Sequence, residues 1–525
     1  MKQHGRQQSR RGVSRNSQCV FLLFVALLGV GEPILKAQNT SQESVEQQIQ
    51  KLNDAMARTQ AQLEKSQREM EEMRRQLSAL QQQMTNSNLS VPASSPAQPL
   101  TPAQVTAAIE ELREKQAMQE TQIATHEQTK VESESKYPVK LNGLLLLNGF
   151  VNTRQVDRPA TPTLAIGGPG STGASVRQTI LGLDMRGPHL FGARSHADLQ
   201  VDFSADISPV NYGGTNTTGY SSPYDEGSAV LRLRTAHAAL DWKHTQAFFW
   251  LDRPILSPDS PSSLTAVAEP ALAWSGNLWA WNPQVGVTHD VSLTGSHQLR
   301  LQAALTDVAD APVSPIFSSS PYQSFPASTG RQSRWPGSEV RIALQGLKAN
   351  QGARIGIGGY FAPHNVSDSY RFDSWATTID YRLPLPGRLE LTGNVYRGQS
   401  LGGLGAGGYK DYVYRSNTYS QEAYFRALED VGGWSQLKEK LSERLELNAA
   451  FGVDELFASQ LRPYAGVSTA IYQNLARNRT YTGNVIYSPS AYLLFSLEYR
   501  RLESSPVIGQ TSGSNIIGLG VGYKF

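Results

Sequence analysis

From about residue 139 to the last residue, large apolar side chains recur at every second position, with small or polar residues between them. Ile517, Leu519, Val521, Tyr523 and Phe525 alternate with Gly518, Gly520, Gly522 and Lys524. Trp375, Thr377, Ile379, Tyr381 and Leu383 alternate with Ala376, Thr378, Asp380 and Arg382, and Leu493–Arg500 repeats the pattern. Period two puts unlike residues on the two faces of a strand. Only one face of these strands is apolar, and a soluble sandwich or propeller would need a second dry set for its core. The mean hydropathy of −0.37 does not argue against membrane insertion, because alternating strands never raise it much. No apolar run beyond the N-terminus is long enough for a membrane helix.

Sixteen strands fit the alternation, starting near residues 139, 176, 193, 229, 246, 283, 299, 338, 353, 373, 389, 420, 445, 477, 492 and 514. Tight turns near 187–192, 243–245, 293–298, 347–352, 384–388, 441–444 and 488–491 alternate with long connections. Short turns on one rim and long loops on the other are the pattern of a transmembrane antiparallel barrel. Tyr487 and Tyr492 flank one turn, as an interfacial girdle requires. Closure also removes the exposed edges of so large a sheet. An even strand number returns both ends of the barrel to the short-turn rim. The segment 434–445 is ambiguous, since Trp434, Leu437, Leu441 and Leu445 also fit a helix.

The first 136 residues are of another kind. Lys2, Arg6, Arg10, Arg11 and Arg15 precede the apolar run Val20–Val30, and Ala37 offers a cleavage point. This is the anatomy of a secretory signal over 1–37. It holds the single cysteine, Cys19, so the exported chain has no disulfide framework and no cysteine-based zinc site. Without this segment the 48 basic and 45 acidic residues become 42 and 44, which argues against a nucleic-acid partner. Over 38–84, Ile49, Met56, Leu63, Met70, Leu77 and Met84 interleave with Val45, Leu52, Thr59, Ser66, Met73 and Leu80. A sustained 3.5-residue period predicts an α-helical coiled coil. The Ser/Pro-rich stretch 85–101 reads as a linker, and 102–136 as a second helical segment. All tryptophans and tyrosines lie at or beyond Tyr137, which sets the start of the barrel domain, 137–525.

The combination of export signal, coiled coil and barrel closing on Gly522-Tyr523-Lys524-Phe525 resembles Gram-negative outer-membrane porins with an N-terminal periplasmic coiled coil, the DcaP type. The resemblance implies outer-membrane lipid around the barrel, a homotrimer, and a terminal strand (Tyr523, Phe525) read by the barrel-assembly machinery. The expected function is a water-filled channel for passive or weakly selective diffusion of small hydrophilic solutes.

Alternation points Arg232, Arg234, Arg300, Arg341, Arg354, Arg382 and Arg500 inward, with Asp198, Asp202, Asp380, Glu390 and Glu498. The third long connection, 253–282, is the candidate constriction, carrying Arg253, Asp259, Glu269, Trp274, Trp279 and Trp281. Acids on such a loop facing an arginine-bearing wall set a transverse field. Two other classes compete. A structural tether would use the rod to touch the cell wall, with the barrel as its anchor. An outer-membrane hydrolase would need catalytic spacing, but no G-x-S-x-G, H-E-x-x-H or phosphate-loop motif occurs, nor any metal or cofactor motif.

Overall fold

The computed structural model describes residues 138–205, 230–294, 296–313, 327–346, 352–367, 370–416, 423–465 and 471–525. The expected signal (1–37), coiled coil (38–84), linker (85–101) and second helical segment (102–136) lie outside the described residues, as does Tyr137. Strands in chain order are β1 (Val139–Val156), β2 (Ala165–Ser175), β3 (Ile180–Leu190), β4 (Ala193–Ala205), β5 (Val230–Asp241), β6 (Thr245–Asp252) and β7 (Asn282–Thr294). They continue as β8 (His297–Thr306), β9 (Gly337–Gly346), β10 (Arg354–Ser367), β11 (Tyr370–Leu385), β12 (Leu389–Gln399), β13 (Tyr412–Ser416) and β14 (Ala423–Ala427). The last five are β15 (Glu429–Lys440), β16 (Leu445–Leu456), β17 (Leu475–Tyr487), β18 (Leu493–Pro506) and β19 (Ser512–Lys524).

β13 and β14 pair only with each other; the other seventeen form one antiparallel sheet. The sheet closes where β1 meets β19, from Leu144↔Lys524 to Asn152↔Ile516. Val139–Leu144 of β1 pairs with β3, while Asn148–Val156 pairs with β2. β2 and β3 are therefore two halves of one stave, broken at 176–179, and the closed barrel has sixteen positions.

The side chains are sorted opposite to those of a water-soluble protein. Ile517, Leu519 and Tyr523 of β19 are exposed on the outside, and so are Leu145, Leu147 and Val151 of β1. Asn148, Asn152, Thr378, Asp380, Asn394 and Asn478 are buried inside. This inversion is stable only when the exterior meets lipid and the interior satisfies its own polar groups. Both ends of the sheet reach the short-turn rim, where Gly143 and Phe525 exchange backbone hydrogen bonds of 3.0 and 3.2 Å.

Within the described residues the tight turns fall where the sequence places them, the expected turn at 347–352 lying largely outside those residues, and three elements differ. The second stave starts at Ala165, not near 176. Its outer half, AIGGPGSTGAS, reads as a loop because glycine and proline weaken the strand signal. The strand expected near 420 is β15, nine residues later; the intervening chain makes the β13–β14 hairpin. The ambiguous segment around Trp434 is strand, because every residue of Glu429–Lys440 has a partner on β12 or β16. The expected connection 362–372 is mostly strand, since β10 and β11 pair out to Ser367↔Tyr370.

Candidate functional site in the barrel interior

The connection 253–281 turns into the barrel and is fixed to the inner wall by hydrogen bonds that track round the circumference. Ile255 N donates to Glu339 on β9 (2.8 Å). Leu256 O accepts from Thr378 on β11 and Asn394 on β12 (3.2 and 2.9 Å). Ser262 N donates to Gln436 on β15, and Ser263 Oγ to Glu498 on β18 (2.6 and 2.5 Å). Leu264 O accepts from Asn148 on β1 (2.7 Å), and Val267 and Ala268 N donate to Gln178 in the β2–β3 break. Inward Asn, Gln, Thr and Glu at mid-strand are thus the sockets for loop backbone, which cannot be buried unpaired.

The loop crosses back at a second level. Gly276 has φ +99°, and a Cβ there would sit 2.1 Å from Gly433 O, so only glycine lets the loop touch the wall at that point. Leu256 and Leu278 pack with Val308, Tyr360, Leu401, Leu404 and Ala406, joining this loop to 400–411 in an apolar core inside the barrel. Within 400–411, Lys410 donates to the carbonyls of Gly408, Tyr472 and Leu475 (2.7, 2.8 and 3.0 Å). Burial pushes its ammonium down to about 7, against the pull of Asp454 and Asp430. Burial likewise pushes the neighbouring Asp411 up to about 7.

The burial pattern locates the free space. On β10–β12 and β15–β19 the inward residues are almost all buried beneath these loops. On β4, β5 and β8, inward residues such as Asp198, Gln200, Arg232, Arg234, His237, Arg300 and Gln302 stay half-exposed. The open passage therefore runs along the β4–β8 wall.

The candidate residues divide accordingly. Arg232 on β5 grips Asp202 on β4 through Nε and Nη2 (3.0 and 2.7 Å), and Arg234 lies 3.5 Å from the same carboxylate. Both guanidiniums lie over the Trp281 ring, 5.1 and 4.8 Å from its centroid. Arg253 donates to Ser260 Oγ (2.6 Å), and Glu269 pairs with Arg158. Across the lumen, Asp259 on the loop pairs with Arg354 and Arg382, and Asp380 pairs with Arg354 and Arg341. Arg341 is 2% exposed and sealed, whereas Arg382 is 39% exposed and wet. Asp252 lies 3.9 Å from Arg253 and shares His237 with Asp198, so around the constriction seven guanidiniums face six carboxylates, a near-balance of charge. Arg300 is paired with Asp290 (2.8 Å), nearer the short-turn rim, and Glu390 is half-buried on β12, accepting from Thr392. Arg500 is buried against Glu498.

The aromatic residues of the loop have separate positions. Trp274 is buried and stacked on Tyr409 at 4.1 Å; Trp279 meets it edge-on; Trp281 alone lies under the arginines. Period two did not assign His237, which bridges Asp198 (2.8 Å) and Asp252 (3.1 Å). A β-bulge opposite Gln200 and Val201 shifts the parity of β5, so that Arg232 and His237 both face inward. Arg158 comes from the first long connection and carried no signal of its own.

The fold is shared with a solved outer-membrane channel. The outer membrane channel DcaP of Acinetobacter baumannii superposes with a TM-score of 0.52 at 14% identity, over 75% of this chain and 99% of that one. An anion-selective porin from Comamonas acidovorans gives 0.43 at 8% identity, over 74% and 100% of the two chains. The outer-membrane protein OmpT of Vibrio cholerae gives 0.41 at 7%, over 75% and 99%. No protein-family model and no curated protein matches the sequence. By its closed sixteen-position barrel, the chain has the DcaP-like porin fold.

Proposed function

We propose that the chain is an outer-membrane porin, a water-filled channel through which small hydrophilic solutes diffuse passively or with weak selectivity. One observation carries the reading. The interior is sealed by folded loops on one side and left wet on the other, and the wet side is lined by charges of both signs, Arg232, Arg234, Arg253 and Arg300 with Asp198, Asp202, Asp252 and Asp290. A barrel that served only as an anchor has no need of a half-open, charge-lined lumen. Sixteen strands enclose an aqueous interior, and fixed charges in a narrow low-dielectric passage set the local ion concentration.

Trimerisation fits the outer wall. Among the described residues, the exposed strand aromatics are Phe249, Phe361, Phe451, Tyr481, Tyr487, Phe495, Tyr499 and Tyr523, and none lies on β1–β5. That sector instead presents Leu147, Val151, Thr172, Ala174, Leu231 and Leu233. Its exposed aromatics, Phe191 and Trp242, stand at the short turns, and the aliphatic, small-residue surface along the strands suits contact with a second copy. The coiled coil over 38–84 would add a periplasmic trimerisation element and a possible wall contact. Tyr523 and Phe525 remain the proposed assembly signal, with Phe525 closing the seam against Gly143.

The experiment is planar-bilayer recording with a salt gradient across the membrane. Stepwise conductance with a small reversal potential, as weak selectivity requires, supports the reading. A correctly folded barrel without conductance supports the tether instead.

A further inference from the structure

We propose that His196 and His237 set the ion preference of the open passage, the anion-to-cation permeability ratio rising as the two imidazoles take up protons. The inference rests on the channel reading above and goes beyond it, because it names the residues that decide which ions pass more easily and the condition that changes their choice.

Both rings stand on the half of the lumen that the inner loops leave wet. The register sets His237 of β5 opposite Asp198 of β4, and His196 of β4 opposite Ala239 of β5, so the two rings are diagonal neighbours on one face. The side chains of His196 and His237 are 38% and 21% exposed, so each touches the water of the passage. Trp250 stands edge-on to His237 at 5.5 Å and is itself stacked on Phe248 at 3.8 Å, which holds the imidazole at the wall.

The hydrogen bonds suit a ring that gains a proton in place. His237 Nδ1 lies 2.8 Å from Asp198 Oδ1, and its Nε2 lies 3.1 Å from Asp252 Oδ2. A neutral imidazole has one N–H and one lone pair, so it can donate to only one of these carboxylates. The imidazolium donates to both. His196 Nδ1 lies 2.9 Å from Asp241 Oδ2, and Asp241 Oδ1 accepts from Gln246 Nε2 at 2.8 Å. Each ring can therefore take up a proton without leaving its partners.

The charges facing the pair come from every neighbouring element. They are Asp184 and Arg186 on β3, Arg194 and Asp198 on β4, Asp241 on β5, Asp252 on β6 and Arg253 on the loop. Aspartate and arginine ordinarily keep their charge between about pH 5 and 8, whereas histidine changes its own there. Two protons taken up at this wall therefore add two positive charges against a fixed background. The other described histidines are placed differently. His189, His244 and His297 stand at the short turns, His289 alternates with the buried Thr288 and bonds Thr245 Oγ1 on the outer face (2.8 Å), and His364 is buried near the long-loop rim. A unit charge ~6 Å from the ion path acts with opposite sign on anion and cation, so each proton should raise the ratio about threefold at physiological salt.

The test is the reversal potential of the purified full-length channel in a potassium chloride gradient, read from about pH 8 down to about pH 5, the span in which histidine titrates. The anion-to-cation ratio of the native channel should rise over that span. His196→Gln and His237→Gln keep an amide that can donate to the same carboxylates but carries no charge. Each should remove about a threefold part of the rise, and the double variant should remove both parts. His289→Gln, on the outer face, should leave the rise in place. Heat-dependent gel mobility reports that each variant is folded. A native channel that conducts with the same ratio across the span overturns the inference and leaves the porin reading standing, and so does a folded double variant that keeps the full rise. A folded barrel that never conducts overturns the porin reading and this inference with it.

Discussion

Asp259 and Arg382 offer a test of the charge argument in both directions. They pair directly at the constriction, one from the loop and one from β11, and Arg354 completes the trio. Arg382→Gln removes one positive charge and leaves Asp259 paired with Arg354. Asp259→Asn removes one negative charge and leaves both guanidiniums in place. A unit charge ~6 Å from the ion path in a watery lumen is worth about 0.7 kcal/mol. A screening length of ~8 Å at physiological salt cuts this to about 0.3 kcal/mol. The charge acts with opposite sign on anion and cation, so the anion-to-cation permeability ratio should change about threefold. At ~0.01 M salt, where screening hardly acts over this distance, the change should be about sevenfold. Reversal potentials of single channels in a salt gradient measure the ratio directly. Arg382→Gln should lower it and Asp259→Asn should raise it. If both variants shift the ratio the same way, or neither does so at low salt, ions do not pass this ring and the reasoning fails.

Gly276→Ala should detach the inner loop from β15, because the added Cβ meets the Gly433 carbonyl and the φ of +99° suits only glycine; larger and noisier single-channel currents would register it. Leu256→Ala empties a fully buried position between the loop and the wall and should cost ~2–5 kcal/mol. It should be seen as faster proteolysis within 253–281 and a lower temperature of gel-mobility loss. Docking of 400–411 should depend on pH in two limbs. Lys410, pushed down from 10.5 to about 7, is protonated more readily when released, so docking strengthens as pH rises through that window. Asp411, pushed up from 3.8 to about 7, holds its proton better when docked, so docking weakens as pH rises from 3.8 to 7. Amide exchange of 401–411, corrected for intrinsic rates, should therefore be fastest near neutrality, and Lys410→Met should flatten only the upper limb. Phe525→Ala should reduce the yield of assembled barrel, since the ring lies against Gly143 at the seam.

Alternation made the barrel legible because each stave alone displays the contrast between lipid and lumen. β19 needs no partner to reveal which face is which. The stave formed by β2 and β3 was half hidden, since glycine and proline erase the contrast although Asn148–Asn152 still pairs with Ser171–Ser175. Parity was also vulnerable to a single extra residue. Arg232 was placed inward by counting from Leu231, but the same count sends His237 outward, and only the bulge brings it back. What alternation could not supply is which inward residues stay wet. Arg341 and Arg382 look alike in sequence, each at an inward position of its strand, but one is sealed between Asp380 and Gln302 and the other, near the short-turn end of β11, faces water. The difference arises from where 253–281 lies, and that path is set by side-chain sockets on seven elements distant in sequence. Asp259 meets Arg354 across 95 positions and Arg382 across 123. Such pairings belong to the closed barrel and not to any stave, so charge counting along the chain sees the near-balance but not which carboxylate meets which guanidinium in the folded lumen.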